Sequence, residues 1–190
     1  MPRDCGTLQW SVLRAAALAV TMGVVRLLTI GAIFGVACAA TPAHARDLVP
    51  FADAGISPGT IVIRTAERRL YFVTGHGQAV RYPVGVGRAG MQWSGQVRVE
   101  GKFLQPDWAP PAVVRRDNPS LPEVIHGGSP RNPLGVAALT LTGGDYAIHG
   151  TNNPKSIGGF VSYGCIRMHN ADISDLYARV RVGTPVVVTH

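Results

Sequence analysis

Short runs of β-branched and aromatic residues, separated by glycine- and proline-bearing turns, dominate the chain from residue 58 onward. Thr60–Arg64 and Arg69–Val73 read as two strands joined by a turn near Glu67, and Gln78–Val84 follows a Gly75-His76-Gly77 turn. Gln96–Glu100 alternates apolar and polar positions, the period of a half-buried strand. Strand character returns at Ala137–Leu141 and Asp145–His149, and Thr184–Thr189 closes the chain as a buried strand. One helix is well marked. Asn170 is placed to cap it, and Asp172 lies in the first turn, where the helix dipole favours a negative charge. Ile173, Leu176, Tyr177 and Val180 follow at helical spacing, Arg179 and Arg181 mark the end and Gly183 lies beyond. The expectation is a mostly β domain with one clear helix in its C-terminal half.

Two segments break this pattern. Residues 27–40 are apolar and uncharged, with Arg26 before them and Ala43-His44-Ala45 after, the order of a secretory leader with a small-x-small cleavage site. The run is short for a membrane span. Residues 1–45 are therefore expected to be a signal peptide, with Met22 as an alternative start and Arg46 as the mature N-terminus. An uncleaved inner-membrane anchor is the competing reading. The second segment, residues 104–135, holds seven prolines and no sustained period. A long irregular stretch inside a domain is usually a lid or binding loop. Residues 46–57 read as a lead-in and 58–190 as the domain proper.

Composition changes the picture at two points. The formal net charge is +7, of which Arg3, Arg14, Arg26 and Asp4 contribute +2. The rest suits an anionic partner, but no basic run interleaved with aromatics points to nucleic acid. Of the three cysteines, Cys5 and Cys38 fall in the leader. Cleavage would leave Cys165 alone in an oxidising compartment, where a single thiol is a candidate nucleophile.

His149 ends a predicted strand, and Cys165 follows sixteen positions later in Ser162-Tyr163-Gly164-Cys165-Ile166-Arg167-Met168. An imidazole beside a thiol takes its proton and makes a nucleophile. Gly164 allows close backbone approach, and the amides around Gly164 and Cys165 can face a developing oxyanion. Arg167 can hold a carboxylate in bidentate fashion. Singly these signals are weak: a lone histidine is more often structural, and His76, His126, His169 and His190 are read that way. Zinc on His126, His149 and Cys165 is an alternative without a recognised ligand spacing.

The stretch HGTNNPKSIGGFVSYGCIRM resembles the signature of the L,D-transpeptidases with a YkuD-type catalytic domain. Gly127–Gly135 resembles the family's GG-x-x-NPLG segment, Pro106–Pro110 a tryptophan-containing loop, and residues 175–187 the closing helix and strand. The resemblance implies a β-sandwich-like fold and a cysteine enzyme that needs no cofactor. Cys165 would attack a diaminopimelate carbonyl in a wall tetrapeptide, release D-alanine and form a thioester. An amine of a second stem would resolve it into a 3→3 cross-link. It further implies Cys165 and His149 as catalytic, with Gly164, Tyr163, Ser162, Arg167 and Gly150 around the oxyanion and substrate, in the periplasm. Carbapenem-type inhibitors are expected to acylate the thiol. The same site could serve an L,D-carboxypeptidase or attach an outer-membrane or lipoprotein acceptor to the wall; a wall-binding module without catalysis is a more distant alternative. Two departures stand out. Tyr163 occupies a position often histidine or serine, and Gly90–Gly95 replaces a Thr-Pro-containing turn.

Overall fold

The computed structural model describes residues 46–190 other than Ala54 and Asp145, so the expected leader lies outside the described residues. In chain order the elements are β1 (Asp47–Pro50), β2 (Ile61–Arg64), β3 (Arg69–Gly75), β4 (Gln78–Pro83), β5 (Val86–Gly87), β6 (Gly95–Leu104), α1 (Ala112–Asp117), β7 (Ala137–Leu141), β8 (Ala147–His149), a 3₁₀ turn (Pro154–Ser156), β9 (Phe160–Ser162), β10 (Ile166–Arg167), α2 (Asn170–Arg179) and β11 (Pro185–Thr189).

Nine strands pair in the order β1-β4-β3-β2-β11-β6-β7-β8-β10, and β5 pairs with β9 apart from them. Strand β6 is the corner. Its first half, Gly95–Arg98, pairs with β11, and its second half, Val99–Leu104, pairs with β7. The register shifts between Val99 and Gly101. Such a bulge bends a strand, which lets β6 pass from one sheet to the other and fold the two faces together.

Alternation along the strands decides which face is covered by what. Ile61 and Ile63 of β2, with Val186 and Val188 of β11, join Leu139, Leu141, Ile148 and Ile166 from the second half of the sheet in one core. Val62 and Val187, the residues between them, face the other way and pack with Phe51, Tyr71, Val73 and Ala79. The lead-in supplies part of that second cluster. Its first residues form β1, which pairs antiparallel with β4. No strand was expected there: Asp47 and Pro50 carry little strand signal, and the pairing depends on a partner edge far along the chain.

Helix α2 closes the main core with Ile173 and Leu176, both fully buried. His169 occupies the N-cap without a side-chain cap bond, a correction to the expected capping by Asn170. The Asn170 side chain instead accepts the Thr151 amide at 2.9 Å, tying the helix start to the loop after β8. At the other end the helix stops at Arg179, and Lys102 Nζ donates to the carbonyls of Tyr177 at 2.7 Å and Val180 at 2.5 Å. A lysine from β6 thus satisfies carbonyls that the helix leaves open. The mostly β fold and the single marked helix are as expected; the short α1 inside 104–135 is not.

Tyr82, fully buried on β4, donates its hydroxyl to Asp175 Oδ2 of α2 at 2.6 Å. Tyr82→Phe deletes this bond while keeping the ring, and should cost about 1–2 kcal/mol. Urea denaturation checks this; an unchanged midpoint would remove the bond from the stabilising set.

Candidate active site

Strands β8 and β10 run parallel, with Ile166 beside Ile148 and Arg167 beside His149. Because strand side chains alternate, the two isoleucines enter the core and His149 and Arg167 share the opposite face. Cys165, two residues before Arg167, comes to that face as well: His149, Cys165 and Arg167 all line one cavity of about 440 Å³. Residues sixteen positions apart are brought together by two strands of three and two residues. Strand β10 is so short that it needs a second partner. Gly85 supplies it, exchanging backbone bonds with Arg167 at 2.8 and 2.9 Å. A side chain at residue 85 would run into the Ser156 carbonyl, so glycine is required for that approach.

His149 is only 4% exposed. Its Nδ1 lies 2.7 Å from the Gly150 carbonyl oxygen. A carbonyl only accepts, so Nδ1 carries the proton and orients the ring. Burial dominates the titration and, with the positive charge of Arg167, lowers the pKa to about 4, although the carbonyls of Gly150 and Pro133 pull it partly back. The ring is therefore neutral near pH 7 and able to accept a proton. Gly150, placed by sequence among the substrate-binding residues, acts here through its carbonyl on His149.

Arg167 is buried enough to push its guanidinium below its usual pKa, and the nearby Cys165 raises it in part. The attraction is mutual, so Arg167 favours a thiolate at Cys165. Its Nε is fully buried and, among the described residues, meets no hydrogen-bond partner. A buried N–H without an acceptor is costly unless a ligand supplies one.

The turn before Cys165 is organised by Ser162. Its hydroxyl donates to the Cys165 carbonyl at 2.6 Å and accepts from the Gly164 amide at 3.1 Å. The Gly164 N–H expected at the oxyanion is thus already used within the turn. Gly164 itself has φ +119, and a Cβ there would enter the Tyr146 ring.

Part of the cavity wall comes from the irregular segment, where Trp108, Pro111, Val113 and Val114 line it together with Cys165. Asn132, 1% exposed, shapes that segment by donating from one amide nitrogen toward the carbonyls of Pro106, Ile125 and His126 at 2.9–3.2 Å. Helix α1 buries none of its residues. It is tied down at Asp117, which accepts from Tyr163 Oη at 2.7 Å and from Arg88 Nη2 at 2.9 Å. Arg88 also lies over the Tyr163 ring at 4.1 Å.

The sequence profile of the YkuD family, the L,D-transpeptidase catalytic domain, matches residues 58–188. The chain belongs to this family. An Escherichia coli (strain K12) protein named "Probable L,D-transpeptidase YbiS" is 42% identical over 135 residues, which are 66% of this chain and 43% of that protein. The chain therefore spans about two-fifths of the length of such curated relatives. Among solved structures, an L,D-transpeptidase from Mycobacterium smegmatis superposes with TM-score 0.54 at 20% identity, covering 69% of this chain and 58% of that one. The catalytic domain of an Enterococcus faecium L,D-transpeptidase acylated by ertapenem gives TM-score 0.52 at 16% identity, covering 68% and 95%. At these identities the structural likeness bears on the fold.

Within this L,D-transpeptidase domain the expected pair, with Arg167, Ser162 and Tyr163, converges on one cavity. His126 does not: its ring is exposed and faces Asp107 at 3.3 Å, so the zinc alternative loses a ligand. Sequence reasoning assigns no role to Trp93, Tyr146, Asn132 or Asp117. Trp93, inside the Gly90–Gly95 turn, and Asn132, inside the Gly127–Gly135 segment, each lie in a stretch that the resemblance marks; Tyr146 and Asp117 carry no such signal.

The low pKa of His149 has a consequence for stability. Above pH 6.5 the ring is neutral in both folded and unfolded chains, and the folded state loses nothing. Between 6.5 and about 4 only the unfolded chain takes the proton, so stability falls by about 3 kcal/mol in all. The denaturation midpoint should drop between pH 7 and pH 4.5, and drop less in His149→Gln. Equal acid sensitivity in both proteins would mean that the ring is not held neutral by burial.

Proposed function

We propose that this chain is an exported peptidoglycan L,D-transpeptidase that forms 3→3 cross-links through a thioester on Cys165. The observation that carries the reading is the half-buried Arg167 guanidinium near the thiol, its Nε without a hydrogen-bond partner among the described residues, in a cavity with largely apolar walls. A tetrapeptide stem presents a terminal D-alanine carboxylate next to its scissile bond, and Arg167 clamps it. Cys165 attacks the diaminopimelate carbonyl as His149 takes the thiol proton, in step with bond formation because burial disfavours a resting imidazolium. The carbon–nitrogen bond to D-alanine breaks, and the imidazolium protonates the leaving amine. A side-chain amine of a second stem then attacks the thioester, gives its proton to His149 and restores the thiol. The apolar wall of Trp108, Val113 and Val114 keeps water from the thioester. No metal or organic cofactor enters these steps.

The domain limits support export. Arg46, the first residue after the leader's cleavage signal, already binds the domain, pairing with Asp172 at 3.2 Å and Asp175 at 3.4 Å of α2. Among the described residues no helix is long and apolar enough to cross a membrane. We assign residues 1–45 to a cleaved signal peptide and the mature enzyme to the periplasm, with wall stems as partners and carbapenems as acylating inhibitors.

Mass spectrometry of the exported protein incubated with disaccharide-tetrapeptide tests this. A Cys165 adduct lacking D-alanine, followed by cross-linked dimers, is expected, and Cys165→Ser should abolish both. Trimmed monomers would show a carboxypeptidase; no change would leave a wall-binding module. Arg167→Lys keeps the charge but loses the planar fork. It should lower kcat/KM for the tetrapeptide by about 10- to 100-fold, mostly through KM, while iodoacetamide, which has no carboxylate, still alkylates Cys165 at the wild-type rate. Equal losses with both reagents would refute the clamp.

A further inference from the structure

Trp93 lies outside the cavity lining, yet it touches the backbone of the nucleophile. Its Nε1 donates to the Gly164 carbonyl at 2.9 Å. Its ring stacks on Tyr146 with centroids 4.9 Å apart and planes 7° from parallel, and Tyr146 in turn covers Gly164. The next carbonyl, that of Cys165, is held by Ser162. Gly164, at φ +119, has no side chain to resist rotation of the peptide that joins it to Cys165. That peptide is planar and trans, so its carbonyl and its N–H point in opposite directions. Whatever holds the Gly164 carbonyl therefore aims the Cys165 amide. With the Gly164 amide bonded to Ser162, the aim of the Cys165 amide matters more. A flip of this one peptide would present an acceptor where an oxyanion needs a donor.

We infer that Trp93 is a positioning residue for acyl transfer: it locks the Gly164–Cys165 peptide so that the Cys165 N–H faces the oxyanion of the tetrahedral intermediate, with Tyr146 fixing the indole. The inference rests on the acyl-transfer reading above and goes beyond it, because it assigns a task to the Gly90–Gly95 turn. Acyl transfer through a carbonyl builds negative charge on oxygen, whereas alkylation at a saturated carbon does not. The two reactions of the same thiol thus separate the lock from the reactivity of the thiol.

The test compares acylation by ertapenem with alkylation by iodoacetamide, on the exported protein, with thermal melts alongside. Trp93→Phe keeps an aromatic ring and removes the donor. Acylation should slow by about 10- to 100-fold, approaching the loss of an oxyanion donor, while alkylation stays within about twofold, as expected where no oxyanion forms. Should Trp93→Phe fold poorly, site-specific benzothienylalanine at position 93 decides, since sulfur replaces N–H in a ring of the same shape. Acylation at the wild-type rate in the benzothienyl protein, or equal losses in both reactions, would overturn the inference. Failure of the wild-type protein to acylate overturns the transpeptidase reading and the inference with it. Acylation of wild type with undiminished variants overturns the inference alone.

Discussion

The parallel register between β8 and β10 is the constraint from which the site follows. Pairing Arg167 with His149 puts Ile166 and Ile148 together in the core. The buried isoleucines enforce the register: a slip by one residue would turn them to the cavity and drive His149 and Arg167 into the apolar interior. The hydrophobic effect thereby sets the placement of His149 and Arg167. It does so with very little strand, which is why the flanking bonds from Gly85 and from Met168 to the His149 carbonyl matter. The narrow approach of Gly85 and Gly150 to neighbouring groups leaves no space for side chains at either position.

Charge and neutrality are divided between two neighbours on one face. Burial keeps His149 unprotonated, and its Nδ1–H is committed to the Gly150 carbonyl. Arg167 keeps its charge, because guanidinium basicity survives a lowered pKa, and lies close enough to Cys165 for each to feel the other. The thiol thus has a proton acceptor and a cation to favour its ionised form, supplied by different residues. An imidazolium in the same place would merge the two roles but would have to be charged where burial opposes it.

The segment 104–135 becomes a wall through polar bonds more than through packing. Asn132 gathers three of its carbonyls, Asp107 accepts the Gly127 amide at 2.7 Å, and Trp108 and Ile125 exchange backbone bonds at 2.8 Å. Helix α1 buries nothing of its own and is moored to Arg88 and Tyr163 at Asp117. Tyr163 therefore links the turn before Cys165 to the wall over it. The exposed bonds at Asp117 are individually weak, so α1 is held more loosely than the loop that Asn132 gathers.

Local sequence marked the strands β2, β3, β4 and β7 to within a residue or two, and the α2 helix, because each carries its own hydrophobic period and turn residues. It also marked His149, Cys165 and Arg167 as candidates, because that chemistry depends on residue type and spacing within one short motif. Elements whose stability comes from distant partners were decided only by the tertiary structure. Strands β1, β5, β9 and β10 are two to four residues long and exist through pairing, and α1 is held by its last residue. Asn170 has the composition of a cap, yet its oxygen goes to Thr151 because the loop after β8 comes within reach. The same holds for Trp93 and Asn132: an indole N–H and a carboxamide find particular carbonyls only when sheet and loop have folded, and no periodicity in the chain records where those carbonyls will be.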